Sequence, residues 1–361
     1  MSDQTDELEA LEESDERGRR QGGWKSLMIV IGAIVSALAI GLAVVIGTSG
    51  VTLADVAQSV WLSIFGGTLT GDLADKYPII VELRLPRVLL AFTAGAGLSL
   101  AGVLMQGLLR NPLVSPFTLG VSPAAAFGAA LAITLAGSNS LPSWIVIGSA
   151  LVVALLVSGL VLSLASARKL AVATLLLLGI AMTQLFEALT AALQFIASEN
   201  TLQAIVRWTF GSVNDANWGD VQVVGLILLL SVPVTLWFAK DLNAVAFGGD
   251  DAARSFGVNV SSLRLGLIVM SVVLAAVVVS FCGIIGFVGL VGPHIARLII
   301  GSDHRFLLPF ATLTGGLLLL VADTVGRTVI APAVVPVGIV VAFIGAPIFI
   351  NLILTRKTAM R

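Results

Sequence analysis

Few residues in this 361-residue chain are of a type that does chemistry, and their spacing argues against catalysis. Glu187 and Asp323 are the acids lying within or beside long apolar runs, and they are not paired with each other in sequence. General acid–base work needs two positioned groups in one cavity. Nothing therefore specifies a hydrolase or an oxidoreductase, and a membrane enzyme ranks third among the function classes. His294 and His304 stand ten residues apart beside arginines, and Cys282 is the single cysteine. That inventory predicts no disulfide, no metal site and no cofactor. No lysine closes a G-x-x-x-x-G-K run, so any ATP that drives the protein is bound by another chain. A formal net charge of −1 gives no attraction to nucleic acid.

The remaining polar residues matter by position. Arg84 and Arg87 flank Pro86 just ahead of Val88–Leu109, a stretch with no charge. Three residues apart, they share one side of a helix mouth, and proline suits a helix's first turn. Asp323 and Arg327 have the i,i+4 spacing of a helical ion pair. Arginines at such places either anchor helix ends in the headgroup layer or meet carboxylates of a partner. Gln106 and Glu187 interrupt apolar runs. A carboxylate in lipid is costly, so Glu187 is expected to face the bundle interior or a wet path.

The elements that carry these residues are written for hydrocarbon. Charged residues make up 11% of the chain, against about 25% in a soluble domain. Mean hydropathy is +1.04. A run of about 20 apolar residues spans a bilayer core. By that measure spans fall near 27–48, 88–109, 117–137, 143–166, 171–195, 220–239, 307–325 and 337–354. Residues 1–24 read as an acidic, disordered cytoplasmic tail and 356–361 as a basic C-terminus, with a transmembrane domain over 25–355. Residues 49–82 read as an interfacial helix carrying Trp61 and Phe65, followed by a soluble loop at Asp72–Lys76.

Residues 241–262 form the longest polar interruption of the second half. Asp250 and Asp251 suit a helix N-terminus and Gly257 its end. The short element between them displays Ala253 and Phe256, either as an ordinary loop helix or as a docking surface. The uncharged run 265–293 is too long for one upright span and short for two. If Gly283 and Gly286 mark a turn and 287–296 returns as a short helix, there are ten spans and both termini lie in the cytoplasm. Fifteen of the 20 Lys and Arg residues then fall inside, leaving Lys76, Arg84, Arg87, Arg207 and Arg327 outside, which is the positive-inside pattern.

Residue order says more than composition. LRLPR with Arg84, Pro86 and Arg87 is followed by Met105, Gln106, Arg110, Asn111, Pro112, Leu113, Pro116, Leu119, Gly120 and Val121. Together they resemble the FecCD family, membrane permeases of ABC importers for iron–siderophores, haem and vitamin B12. Trp208, Gly211 and Ser212 fit as well. So do Gly283, Ile285, Gly286, Phe287, Gly289, Leu290, Pro293, His294 and Arg297. Ala322, Asp323, Gly326 and Arg327 match a further motif, and Gly345, Ala346 and Pro347 the last one. The resemblance covers about residues 50–355. At Ala246–Gly257 the family's ALGE…AR.LG is present, except that Phe247 stands for Leu and Gly249 for Glu.

The resemblance implies an all-α, type II ABC importer permease with about ten transmembrane helices, a multi-pass protein of the cell membrane. It implies a second permease subunit, identical or homologous, two cytoplasmic ATP-binding subunits and an extracytoplasmic binding protein. Arg84, Arg87 and Arg327 would meet the binding protein. Asp250, Asp251, Ala253, Arg254, Phe256 and Gly257 would couple to the ATPase. The turn Arg110–Ser122, with Ser115 where haem and cobalamin permeases more often carry an acid, is most similar to siderophore permeases. A ferric siderophore is therefore the expected substrate, with haem or cobalamin as alternatives. From the residues alone, a proton-coupled secondary transporter using Glu187 is the competing reading.

Overall fold

A computed structural model describes residues 2–47, 50–69, 71–137, 142–166 and 172–356, with side chains described from residue 22 to 350. The described residues are helical and contain no strand. The helices are α1 (Ser2–Val45), α2 (Leu53–Phe65), α3 (Asp72–Pro78), α4 (Leu85–Leu109), α5 (Val121–Ala136), α6 (Ser143–Ser166), α7 (Val172–Ile196), α8 (Glu199–Thr209), α9 (Trp218–Trp237), α10 (Ala239–Asn243), α11 (Gly249–Ser255), α12 (Val260–Cys282), α13 (Val288–Ile300), α14 (His304–Thr328) and α15 (Val337–Arg356). Seven helical stretches are long and apolar enough to cross a membrane. Four shorter apolar helices, α2, α5, α13 and the described part of α15, lie beside them.

One half of the bundle packs around α4, and α5, α6 and α7 pack on one another beside it. α4 is buried along nearly its whole length and touches α14, α12, α13 and α9. Such burial on every side needs helices whose backbones can come close, and small residues permit that. A Cβ on Gly95 would run into the Gly315 carbonyl of α14, and one on Gly102 into the Gly289 carbonyl of α13. Ser99 adds a hydroxyl bond to the Ala311 carbonyl of α14 (2.6 Å), and Ser271 of α12 one to the Ala101 carbonyl of α4 (2.7 Å).

The uncharged run 265–293 breaks where its glycines predict. α12 ends at Cys282, Gly283 takes φ +70°, and α13 starts at Val288 after Phe287 at φ +63°. The break fits because Gly283 lies against Gly211 and the Trp208 carbonyl, while Ser212 N–H bonds the Cys282 carbonyl at 2.7 Å.

Three segments differ from expectation. The acidic stretch expected as a disordered tail is the first half of α1, which runs unbroken from Ser2. Its Glu, Leu, Ala and Arg residues are strong helix formers, so a helix entering the bilayer extends readily through them. Residues 72–76, expected as a loop, are helical. α3 continues into α4 through a wider helical turn at Ile79–Arg84, and Lys76 ties it to Asp72 (2.7 Å) and Asp55 (3.2 Å). The segment expected to be helical from 117 opens as a tight turn over Pro116–Leu119 and becomes α5 at Val121.

Candidate functional site

α4 and α14 run the length of the bundle and give it two polar ends. At one end Arg84 and Arg87 precede or open α4, and Asp323 and Arg327 close α14. All three arginines turn inward. Arg87 grips the buried Asp323 carboxylate with Nη2 at 2.7 Å and Nε at 3.1 Å from both oxygens. Arg84 donates to the carbonyls of Val44 (2.6 Å) and Val45 (3.1 Å), and Arg327 donates to that of Ala43. The last carbonyls of a helix have no partner of their own, and cations there are favoured by the helix dipole. Arg84 and Arg327 thus hold down the end of α1's final turns. The i,i+4 spacing pointed to Asp323–Arg327, but that separation is 3.8 Å, and the main partner of Asp323 is Arg87, 236 residues away. With Asn214, Asp215 and the 331–334 turn, the three arginines line an open cavity of about 700 Å³.

The opposite end holds the segment after α9. α10 leads through a wide turn at Ala244–Gly248 into α11. Gly249 sits at φ 78°, ψ 179°, a region essentially closed to residues with a side chain. The Arg110 guanidinium lies over its Cα, where a Cβ would be 2.8 Å from Nη1. Glycine is the residue that takes this backbone and this contact without strain. Asp250 and Asp251 fall in the first turn of α11, and Gly257 at φ +83° ends it, as the sequence indicates. Asp250 is held by Arg264 at 2.8 Å, and Asp251 pairs with Arg254 at 3.0 Å on the surface. Ala253 corrects the expected display: it is fully buried, because α11 packs that face on the bundle and its carbonyl takes the Val258 N–H. The exposed rings are Phe256 and Phe247, at 79% and 65%, so these two present the apolar surface of the segment.

Two interior expectations separate. Gln106 is buried, accepting from Arg297 Nη2 at 3.1 Å, and so belongs to the bundle interior. Glu187 is exposed on α7 in the single chain rather than turned into its bundle. In α7 only Leu175, Gly179 and Thr190 are fully buried; Leu176, Leu178, Met182 and Phe186 pack partly buried on the same side, which leaves the Glu187 side exposed.

Sequence reasoning missed Asn243 and Asp303, which join α10 to the start of α14. Asn243 Nδ2 donates to Asp303 Oδ1 at 2.7 Å. Asn243 Oδ1 accepts from the His304 backbone N–H at 2.9 Å and faces His304 Nδ1 at 2.7 Å. Burial raises the Asp303 pKa, but hydrogen bonds from Arg305 and Asn243 outweigh it and hold the carboxyl at about 2. An Asp in the third position before a helix's apolar run was a readable N-cap signal; its bond to a residue 60 positions earlier was not.

A buried helical core with charged ends and seven helices long and apolar enough to cross a membrane is the build of a polytopic membrane protein. Comparison with known proteins makes that specific. The FecCD transport family matches residues 35–355, and the chain belongs to it. The hemin transport system permease protein HmuU of Yersinia pestis is 40% identical over 283 residues, covering 77% of this chain and 84% of that protein. The ferric dicitrate transport system permease protein FecD of Escherichia coli is 38% identical over 283 residues, covering 78% and 87%. Among solved structures, an ABC transporter in an inward-facing conformation superposes with a TM-score of 0.79 at 31% identity, over 91% of this chain and 99% of that one. The chain is an ABC importer permease and a transport subunit, not an enzyme. Family membership sets aside the proton-coupled carrier reading.

Proposed function

We propose that this permease forms, with a second identical or homologous permease chain, the path by which a ferric siderophore enters the cell. An extracytoplasmic binding protein delivers the chelate to the end bearing Arg84, Arg87 and Arg327. Two ATP-binding subunits engage the exposed Phe247 and Phe256 at the other end and drive alternate opening of the path. The observation that carries this reading is the placement of those two surfaces at opposite ends of the same two helices, α4 and α14. Arg87 is held by Asp323, and Arg84 and Arg327 by carbonyls of α1, so carboxylates on a docking protein would meet these guanidinium groups through the N–H donors that still face the 700 Å³ cavity. The charge split of 15 to 5 places the Phe247–Phe256 end in the cytoplasm. α1 connects to the arginine end by its last carbonyls and α15 begins beside it, which supports reading both termini as lying on the opposite, cytoplasmic side.

The substrate class rests on narrower ground. The relatives named above carry hemin and ferric dicitrate, both iron chelates, and the Arg110–Ser122 turn is most similar to siderophore permeases. The test is competitive uptake in proteoliposomes holding the permease, its ATPase and its binding protein. Radiolabelled iron supplied as a ferric siderophore should enter with ATP, and excess hemin or cobalamin should not compete. Competition by hemin with no siderophore uptake would move the assignment to haem.

A further inference from the structure

At the end of the bundle where α10 meets α14, four side chains form a closed contact. Asn243, the last residue of α10, bonds Asp303 and His304 as described above. The Phe247 ring, two-thirds exposed on its outer side, meets the His304 ring edge-on with centroids 6.4 Å apart. His304 itself is buried, and Nε2 has no hydrogen-bond partner and points at Gly107 of α4, where a Cβ would lie 2.7 Å away.

The hydrogen-bond directions are determined by chemistry. An ionised Asp303 only accepts, so the Asn243 amide nitrogen must face it. Asn243 Oδ1 then faces His304 and takes both the backbone N–H and the ring Nδ1–H. Nδ1 carries the proton and Nε2 is left as a bare acceptor against α4. Neither the amide nor the ring can turn over without losing a bond, so the contact is stiff. A simple N-cap would need only Asp303, which already accepts the Arg305 N–H at 3.1 Å. The link to α10 is additional to capping.

We propose that Asn243 and His304 are the positioning residues through which movement of the ATPase-docking segment is handed to α14. This rests on the reading that the Phe247–Phe256 segment docks the ATPase. Phe247 is exposed on the surface, its ring bears on His304, and His304 is the first residue of α14. α14 is one continuous helix of 25 residues, about 37 Å long. Its far end holds Asp323 and Arg327, so a push at Phe247 reaches the arginine-lined cavity through one continuous helix, with Pro309 in its second turn.

The experiment uses the assembled permease–ATPase complex in liposomes with the substrate-loaded binding protein. The single exchange Asn243→Asp sets a carboxylate against Asp303 and should keep assembly and basal ATP hydrolysis. It should lower the stimulation of hydrolysis by binding protein, and uptake, by about tenfold per assembled complex, a size usual for lost coupling between sites. Combining it with Asp303→Asn reverses donor and acceptor between the two positions, keeps the bonds to His304 and the net charge, and gives up the Arg305 bonds to Asp303 Oδ1, so Asp303→Asn alone is the reference for that loss. That double exchange should restore stimulation to within about twofold of the starting protein. Normal stimulation in the single exchange would overturn the proposal, as would a double exchange that assembles fully yet stays uncoupled. Should the single exchange fail to assemble, the double exchange alone decides between these outcomes. Phe256→Asp reports separately on docking: if it assembles and transports normally, the docking reading fails whatever the Asn243 result.

Discussion

Asp323 sits where three arginines converge, almost fully buried and bonded in two-pronged fashion by Arg87. Removing one partner of a buried ion pair typically costs about 3–5 kcal/mol, because the other charge is left uncompensated. Asp323→Ala should therefore lower the thermal midpoint of the purified permease sharply. Arg87→Leu added to it should recover part of the loss, and strictly additive effects would mean that the two residues do not interact energetically. The arginines were legible in sequence as charges at helix mouths. Their partners were not, since Asp323 lies 236 residues from Arg87 and the carbonyls of α1 carry no sequence signal. Asp303 gives a pH signature. Its folded pKa of about 2 lies below the unfolded value of about 3.9. A lowered carboxylate contributes stability that is present above the unfolded value and lost as pH falls through the folded one. Protease resistance of the α10–α14 junction should decline between about pH 4 and pH 2, and Asp303→Asn should flatten that decline.

At the scale of elements, the close approach of α4 to α13 and α14 makes its glycines indispensable. Gly102→Val places a branched side chain against the Gly289 carbonyl, and overpacking of this kind costs about 1–3 kcal/mol or more. The expected result is a permease that inserts but gives a broad, early-eluting peak in size-exclusion chromatography; a sharp peak of unchanged yield would count against the packing. The α4 span, the α12–α13 break and the α11 caps were all readable, because each is written locally as an apolar run, a glycine pair or an acid-to-glycine interval. The burial of Ala253 was not. Short helices of this composition present either face, and only packing against the bundle decides. The N-terminal half of α1 was misread for a related reason: Glu, Leu and Arg favour helix, yet the same charges suit a solvated tail.

The whole molecule is uneven in its burial, and that unevenness bears on topology and on Glu187. With ten passes, Ser261→Cys and Ser302→Cys, each in a Cys282→Ala background, should resist an impermeant thiol label added outside; labelling at Ser302→Cys would leave nine passes. α4 is 83% buried over its span, but α7 only 11%. A helix so bare in one chain must be covered by lipid or by another chain. On its exposed surface lie Gln184 and Glu187 among Leu177, Ile180, Leu185 and Phe195. An acid at the centre of a span costs at least about 2.5–3.5 kcal/mol against lipid, so lipid is the wrong cover for the Glu187 face. On the proposed function, a second permease chain enclosing a wet path would satisfy both the apolar residues and the carboxylate. Glu187→Cys, again with Cys282→Ala, should then react with a small water-soluble thiol reagent in the assembled complex, and the rate should change when ATP is added. Glu187→Leu should assemble normally yet slow uptake. A cysteine there that reacts only with membrane-dissolved reagents, at a rate indifferent to ATP, would place Glu187 against lipid and remove α7 from the path.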